Sequence, residues 1–126
     1  MSATERRTVV AGDRTVCGDC VIAERMFPRM KGLLGRRSLA EDEGVLLRPA
    51  SSIHTAFMRF PIDVAFLDRD NRVVRVASNV EPWRVAAARG GKQVLELKAG
   101  RAQAVGLKAG DVVVFAESAA QAGEAA

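Results

Sequence analysis

The chain has 126 residues, 48% of them apolar, which is enough for one domain with one hydrophobic core. Its net charge of +4 comes from 19 basic and 15 acidic residues. This small excess forms no basic stripe with aromatic side chains between the charges, so we expect no nucleic-acid partner. No apolar run approaches the length of a membrane span, so we expect no membrane partner either.

The ends of the chain and its cysteine content predict a cytoplasmic protein. The N-terminal residues, MSATERRTVV, carry charge but are not followed by the apolar segment of a secretory signal. We expect residues 1–7 to be flexible, residues 8–116 to form a single mainly β domain, and residues 117–126 to be a disordered tail. In a reducing compartment, two cysteines are expected to be free, metal-bound or redox-active rather than a structural bridge.

The first distinct pattern predicts a β-hairpin over Arg14–Ile22. Gly18 and Asp19 suit the two central positions of a type II′ turn, which would place Cys17 and Cys20 opposite each other. Their Cα atoms would then lie roughly 5.5 Å apart, which is within the range of a disulfide. We therefore expect the two cysteines to be able to form a bridge within one chain.

One helix is predicted near residues 24–34, where apolar residues recur at helical spacing and Gly35 can end the helix in a left-handed cap. A helical turn is also predicted at 100–105. Further short strands are predicted at Thr8–Ala11, Gly44–Leu47, Ile53–Phe57, Ile62–Leu67, Val73–Val80, Gln93–Leu97 and Val112–Phe115. With the hairpin, these patterns predict about eight short strands, which is typical of a small β-sandwich or barrel.

The strand Ile62–Leu67 is the densest apolar run, and it follows Pro61, which favours the start of a strand. Successive side chains alternate between its two faces, so Asp63 shares a face with Ala65 and Leu67. A buried strand rarely takes a carboxylate unless a partner or a task keeps it there. Asp63 is therefore the first residue to consider for a site.

Several motifs of the chain resemble those of one known family. They are RMKGLLGR at 29–36, FPIDVAFLD at 60–68, VLEL at 94–97 with Gly100, and Leu107 followed by Gly110-Asp111. Over residues 21–115 the chain resembles the domain-of-unknown-function 192 family. The resemblance implies a compact, mainly β domain and implies no activity. Where many members have Trp-Met-Lys-Asn-Thr, this chain has HTAFM at 54–58, so any role of that Lys-Asn-Thr does not carry over.

Five residues form the candidate ligand-binding set. They are Arg36, His54, Arg59, Asp63 and Trp83. A histidine with a carboxylate is the minimum for general acid–base chemistry, although a hydrogen-bonded histidine at a strand end is the simpler interpretation. A bidentate arginine would satisfy Asp63, either as a structural ion pair or as part of a cleft for an anionic ligand. The single tryptophan, in a loop, is a binding anchor or a partly buried plug of that loop.

Cys17 and Cys20 form a C-x-x-C motif, which indicates zinc only when a second pair follows. No second pair follows here. The motif is then a structural feature, a redox-active dithiol, or half of a four-cysteine site shared between two chains. A hairpin turn lacks the helix N-terminus that lowers thiolate pKa in thioredoxin-like motifs.

These observations favour a non-catalytic ligand-binding or accessory domain with a small polar cleft for a polar or anionic ligand. No cofactor and no metal are predicted within one chain. Two alternatives stay open at this point. One is a hydrolase-like enzyme using His54 and Asp63, and the other is a dithiol redox protein or metal-linked dimer through Cys17 and Cys20. The sequence indicates no oligomeric state.

Overall fold

The computed structural model describes residues 5–23, 38–56 and 58–117. Within these ranges the chain forms one small, mainly β domain with nine strands and one short helix, which confirms the predicted fold class. The strands are β1 (Glu5–Ala11), β2 (Arg14–Ala23), β3 (Glu43–Leu47), β4 (Ser52–His54), β5 (Ile62–Leu67), β6 (Val73–Val80), β7 (Val85–Ala87), β8 (Gln93–Lys98) and β9 (Val113–Glu117), and the helix is α1 (Arg101–Ala104).

Seven strands form one sheet in the order β6-β5-β8-β3-β2-β1-β9, and β4 and β7 form a separate two-stranded ribbon. Neighbouring strands are antiparallel except for β2 and β3, which are parallel. In the part of the chain that the structure describes, the starts of the two outer strands are joined by the bridge between Arg72 and Val112 and by the backbone hydrogen bonds beside it. The sheet therefore curls but does not close into a barrel.

Strand β5 is buried on both faces and separates two hydrophobic clusters. Ala65 and Leu67 belong to the inner cluster, which also contains residues of β1, β2 and β9. Val64 and Phe66 belong to the outer cluster, against which the β4–β7 ribbon packs through Ile53 and Ala86. The alternation predicted for this strand is confirmed, and it explains why the run contains almost no polar residue.

The hairpin predicted over Arg14–Ile22 is wrong, because these residues form the single strand β2. Arg7 of β1 pairs with Cys20, but Val9 pairs with Cys17, so two steps along β1 match three along β2. This extra residue is a β-bulge, and it brings both cysteines into the inner cluster.

The bulge persists because the polar backbone groups at Gly18 and Asp19 have partners. Thr8 Oγ1 donates to the Gly18 carbonyl at 3.0 Å, and Gly18 N–H donates to Asp42 Oδ1 at 2.8 Å. Asp19 N–H donates to the Asp42 carbonyl at 2.9 Å. A Gly-Asp pair that looks like a turn is thus held in an extended strand by residues on both sides.

The other element boundaries differ from prediction by small amounts. Strand β1 begins at Glu5, so residues 5–7 belong to the sheet, and the ribbon strand β7 has no counterpart among the predicted strands. The helical turn predicted at 100–105 is confirmed as α1. The helix predicted near 24–34 lies outside the described residues. In the ranges that the structure describes, no helix is long and apolar enough to cross a membrane.

Candidate functional site

Asp63 is a structural residue that joins three segments. Its carboxylate is 1% exposed and accepts three backbone N–H groups. Oδ1 accepts from Asn79 at 2.8 Å, and Oδ2 accepts from Gly100 at 3.0 Å and from Ala102 at 2.9 Å. The carboxylate therefore replaces strand pairing at a bulge in β6 and binds the first N–H groups of α1, which have no partner inside the helix.

Thr55 organises the loop between β6 and β7. Its hydroxyl donates to the Glu81 carbonyl at 2.6 Å and accepts Arg84 N–H at 2.8 Å. Its backbone N–H donates to the Arg84 carbonyl at 2.8 Å, and its carbonyl accepts the N–H groups of Met58 and Trp83, each at 3.1 Å. Because Thr55 is fully buried, these bonds hold the loop 81–84 in one conformation.

Trp83, the single tryptophan, has an unusual backbone conformation and is exposed. Its φ is +66°, a region that bulky residues rarely enter, and its exposed fraction is 61%. Such a conformation costs of the order of 1–3 kcal/mol and persists only where the surrounding structure imposes it. Here Thr55 forms hydrogen bonds with the backbone N–H groups of Trp83 and of Arg84, and these bonds impose the conformation. The exposed position of the indole is therefore determined by the fold.

A cleft of about 440 Å³ lies between β6 and β7, and its lining includes Glu81 and Arg84, which come from the same loop as Trp83. We call it the β6–β7 cleft; it is lined by residues 75–81 and 84–86. The Arg75 guanidinium lies 6.0 Å from the centre of the Phe66 ring and donates to the Ala87 carbonyl, which fixes this cation at one side. Arg84 and Glu81 also line the cleft, so its lining has charges of both signs.

Four of the five candidate residues, Trp83 and three others, belong to segments around this cleft, although none of the four is among its lining residues. His54 stands opposite Val85, which lines the cleft, on the exposed face of the ribbon. Arg59 is exposed and directly follows Met58. The backbone N–H groups of Met58 and Trp83 both donate to the Thr55 carbonyl, so Arg59 lies close to Trp83 along the backbone hydrogen bonds. Asp63 supports the cleft from behind through Asn79. Arg36, and with it the proposed pair with Asp63, lies outside the described residues.

His54 and Asp63 are not brought into a common open pocket. His54 lies on the solvent side of the ribbon that covers the outer cluster, whereas Asp63 is buried on the inner side of β5. A general acid–base pair needs both groups within hydrogen-bond reach of one substrate proton. The arrangement therefore does not support the hydrolase interpretation.

Cys17 and Cys20 are free and fully buried. The bulge places their thiols in contact, and the hydrogen bond with Cys17, together with burial, raises the pKa of the Cys20 thiol above its ordinary range. A raised pKa disfavours the thiolate that redox exchange and metal binding require. Among the described residues, no group of three or more His, Cys, Asp or Glu could hold a metal ion.

The sequence did not indicate the residues that build this cleft. Thr55 acts through its backbone and hydroxyl toward a loop 26 to 29 positions away, and no local pattern encodes such bonds. Asn79 was also missed, although an asparagine near the end of a strand is a known signal for a positive φ, which here is +53°.

Comparison with known proteins identifies a family and a fold. The family model DUF192, "Uncharacterized ACR, COG1430", matches residues 7–115. A crystal structure of a proposed transcription regulator from Sinorhizobium meliloti is similar with a TM-score of 0.78 and 24% identity, covering 91% of this chain and 97% of that one. A protein of unknown function from Novosphingobium aromaticivorans is similar with a TM-score of 0.74 and 27% identity, covering 88% and 84%. No curated protein matches the chain.

Proposed function

The chain belongs to the DUF192 family, and we propose that it is a non-catalytic binding domain that holds a small polar ligand in the β6–β7 cleft. In this proposal Trp83 lies against an apolar face of the ligand. The family match and the structural neighbours carry no activity to this chain, so the proposal stands on the geometry of the cleft alone.

The single observation that carries the proposal is the exposed indole of Trp83, held by a backbone with positive φ. The indole is 61% exposed, and hydrogen bonds around it hold its backbone at a positive φ, a conformation that has a structural cost. Strained, exposed aromatic residues are concentrated where proteins contact ligands, because a rigid indole gives a large contact area with little loss of conformational entropy. Val85, which is 77% exposed beside it, extends the same apolar surface.

The chemistry of the cleft favours a small polar or anionic ligand. Arg75 and Arg84 provide two cations against the one carboxylate of Glu81. Ser78 and Asn79 provide a hydroxyl and an amide that can donate and accept hydrogen bonds. A volume of about 440 Å³ falls within the range of small-molecule sites.

The proposal also includes the absence of catalysis and a cellular location. We propose binding without catalysis because the buried carboxylate behind the cleft, Asp63, is occupied by three backbone N–H groups. We propose a cytoplasmic location because two adjacent free thiols fit a reducing compartment.

A thermal-shift screen with sugars, amino acids and small carboxylates tests the proposal. A compound present at ~100 times its dissociation constant stabilises the folded state by roughly 2.7 kcal/mol. We expect at least one compound to stabilise the wild type and to lose this effect in Trp83→Ala. The matched control is Val114→Ala, which removes an exposed apolar side chain on the opposite edge strand β9. Equal stabilisation of both variants would contradict the assignment of the site.

A further inference from the structure

A groove of about 550 Å³ lies along the open edge of β6, between this strand and α1. We call it the β6–α1 groove; its lining includes Val76, Ser78, Ala102, Leu107, Lys108 and Ala109. Ala102 and Leu107 belong to the inner cluster, so the groove lies on the inner face of the sheet. The β6–β7 cleft lies on the outer face of the same strand, because β7 packs on the outer cluster.

The backbone N–H and carbonyl of Val76 point away from β5, toward this open edge. On β5, the Leu67 carbonyl accepts Lys92 N–H at 2.7 Å, on the side of β8. Backbone groups alternate between the two sides of a strand, so the β5 residues that bond to β6 are those opposite Arg75 and Ala77. Val76 lies between these two residues and therefore directs its backbone groups to the other side.

The start of this edge already pairs with another segment of the chain. Val73 N–H donates to the Asp111 carbonyl at 2.7 Å, and Gly110 N–H donates to the Val73 carbonyl at 2.8 Å. This pairing is antiparallel, and the chain before Gly110 leaves the edge for the loop that follows α1. Within the described ranges, no segment continues the pairing to Val76 or to Ser78, which points outward by the same alternation.

The two charged residues that line the groove have partners of their own. The Arg75 guanidinium donates to the Ala87 carbonyl, on the side of the ribbon. The Lys108 ammonium lies 3.3 Å from Asp111 Oδ1. Because both cations are occupied and most of the other lining residues are apolar, the groove favours an uncharged occupant.

We propose that the β6–α1 groove binds an extended, uncharged peptide segment, which adds to β6 as an antiparallel strand. Main-chain hydrogen bonds to Val76 and Ser78 supply affinity, and alternate side chains of the segment supply specificity. Opposite residues of an antiparallel pair share a face, so the peptide residues that bond to Val76 direct their side chains into the groove. The other side chains point toward the β6–β7 cleft. An antiparallel second copy of β6 would bring two Arg75 side chains to the same short stretch, so an uncharged peptide fits this edge better. The proposal requires no ligand in the β6–β7 cleft.

Isothermal titration calorimetry with the acetylated and amidated heptapeptide EVTVTVK tests this proposal. Its valines suit the groove, and two further versions carry N-methyl groups either on two valines or on two threonines, which removes the backbone donors of one edge only. The protein variants are Ala109→Arg and Ala104→Arg. Both alanines are exposed, but only Ala109 lines the groove, and neither lines the β6–β7 cleft. Neither substitution should shift the midpoint of thermal unfolding, so a loss of binding would not reflect unfolding.

We expect the unmodified peptide to bind saturably at one site per chain. N-methylation of the valines should weaken binding about tenfold or more, whereas N-methylation of the threonines should leave it within about twofold. Ala109→Arg should weaken binding about tenfold, and Ala104→Arg should leave it unchanged. Equal effects of the two methylated peptides or of the two variants, or no binding at millimolar concentration, would overturn the proposal. A wild type that is dimeric in sedimentation and becomes monomeric in Ala109→Arg would show that a second copy occupies the edge, and would overturn it as well.

Discussion

Asp63 Oδ2 accepts the backbone N–H of Ala102 at 2.9 Å, and this bond joins the buried strand β5 to the first turn of α1, 39 positions later in the chain. The same carboxylate holds Asn79 in the bulge of β6. A short helix of four residues cannot be stable by itself, so α1 depends on this contact and on its packing through Ala102. Asp63 thus links the fold to the cleft that Asn79 lines.

The Asp63 carboxylate is expected to contribute strongly to stability. Asp63→Ala leaves three N–H groups without their acceptor in a buried site, and it should lower the free energy of unfolding by ~3–5 kcal/mol. Asp63→Asn keeps the shape and one acceptor oxygen, so its loss should be smaller. Guanidinium unfolding curves measure both, and an Asp63→Ala midpoint equal to that of the wild type would refute this role.

The Thr55 hydroxyl is expected to control the conformation around Trp83. Thr55→Val keeps the shape of the side chain but removes the bonds to Glu81 and Arg84, so we expect a loss of about 1–3 kcal/mol and a red shift of Trp83 emission as the loop loosens. Thr55→Ser retains the hydroxyl and serves as the control. If Thr55→Val and Thr55→Ser gave the same emission spectrum, the hydroxyl would not determine this conformation.

Because the Cys20 thiol is buried, we expect the free energy of unfolding to fall at alkaline pH. Its folded pKa is raised, so the unfolded chain releases this proton first as the pH rises through about 8.5. The stabilisation is therefore complete below that pH and declines above it, with a slope of up to about 1.4 kcal/mol per pH unit. Unfolding curves between pH 7 and pH 10 should show this slope in the wild type. In Cys20→Ala the free energy of unfolding should fall less steeply with pH. Equal slopes in the two proteins would contradict a raised pKa of the Cys20 thiol in the folded state.

The ability of Cys17 and Cys20 to form a bridge within one chain stays a prediction, now with a different geometric basis. The β-bulge, rather than a hairpin turn, places the thiols together. Treatment with oxidised glutathione should convert the two thiols to one disulfide and release reduced glutathione. Mass measurement after alkylation without reductant should then find no free thiol. Two alkylated thiols per chain, or bridged dimers, would exclude the intramolecular bond.

The fold could be predicted from the sequence wherever a strand has a distinctive local pattern, such as an apolar run or a turn beside it. Strand β5 has an unbroken apolar run, and β6 matches its predicted bounds because a turn at 68–71 precedes it. The Gly18-Asp19 pair misled the prediction because its turn signal is local, whereas the bonds from Thr8 and Asp42 that keep it extended come from distant positions. Local patterns carry no information about such partners.

The candidate site was predictable only in part, for a related reason. His54 and Trp83 were unusual as single residues, and the structure places both beside one cleft. Asp63 was recognised as a buried acid, but its partners are backbone N–H groups, which every residue type except proline has.

The most direct test of the proposed binding function is a titration that follows Trp83 fluorescence. The chain has one tryptophan and no tyrosine, so its emission reports the environment of this residue alone. A compound that stabilises the protein in the thermal-shift screen should change this emission saturably, with the same midpoint as its calorimetric binding curve and one site per chain. Saturable binding of every such compound with Trp83 emission unchanged would contradict the assignment of the β6–β7 cleft as the binding site.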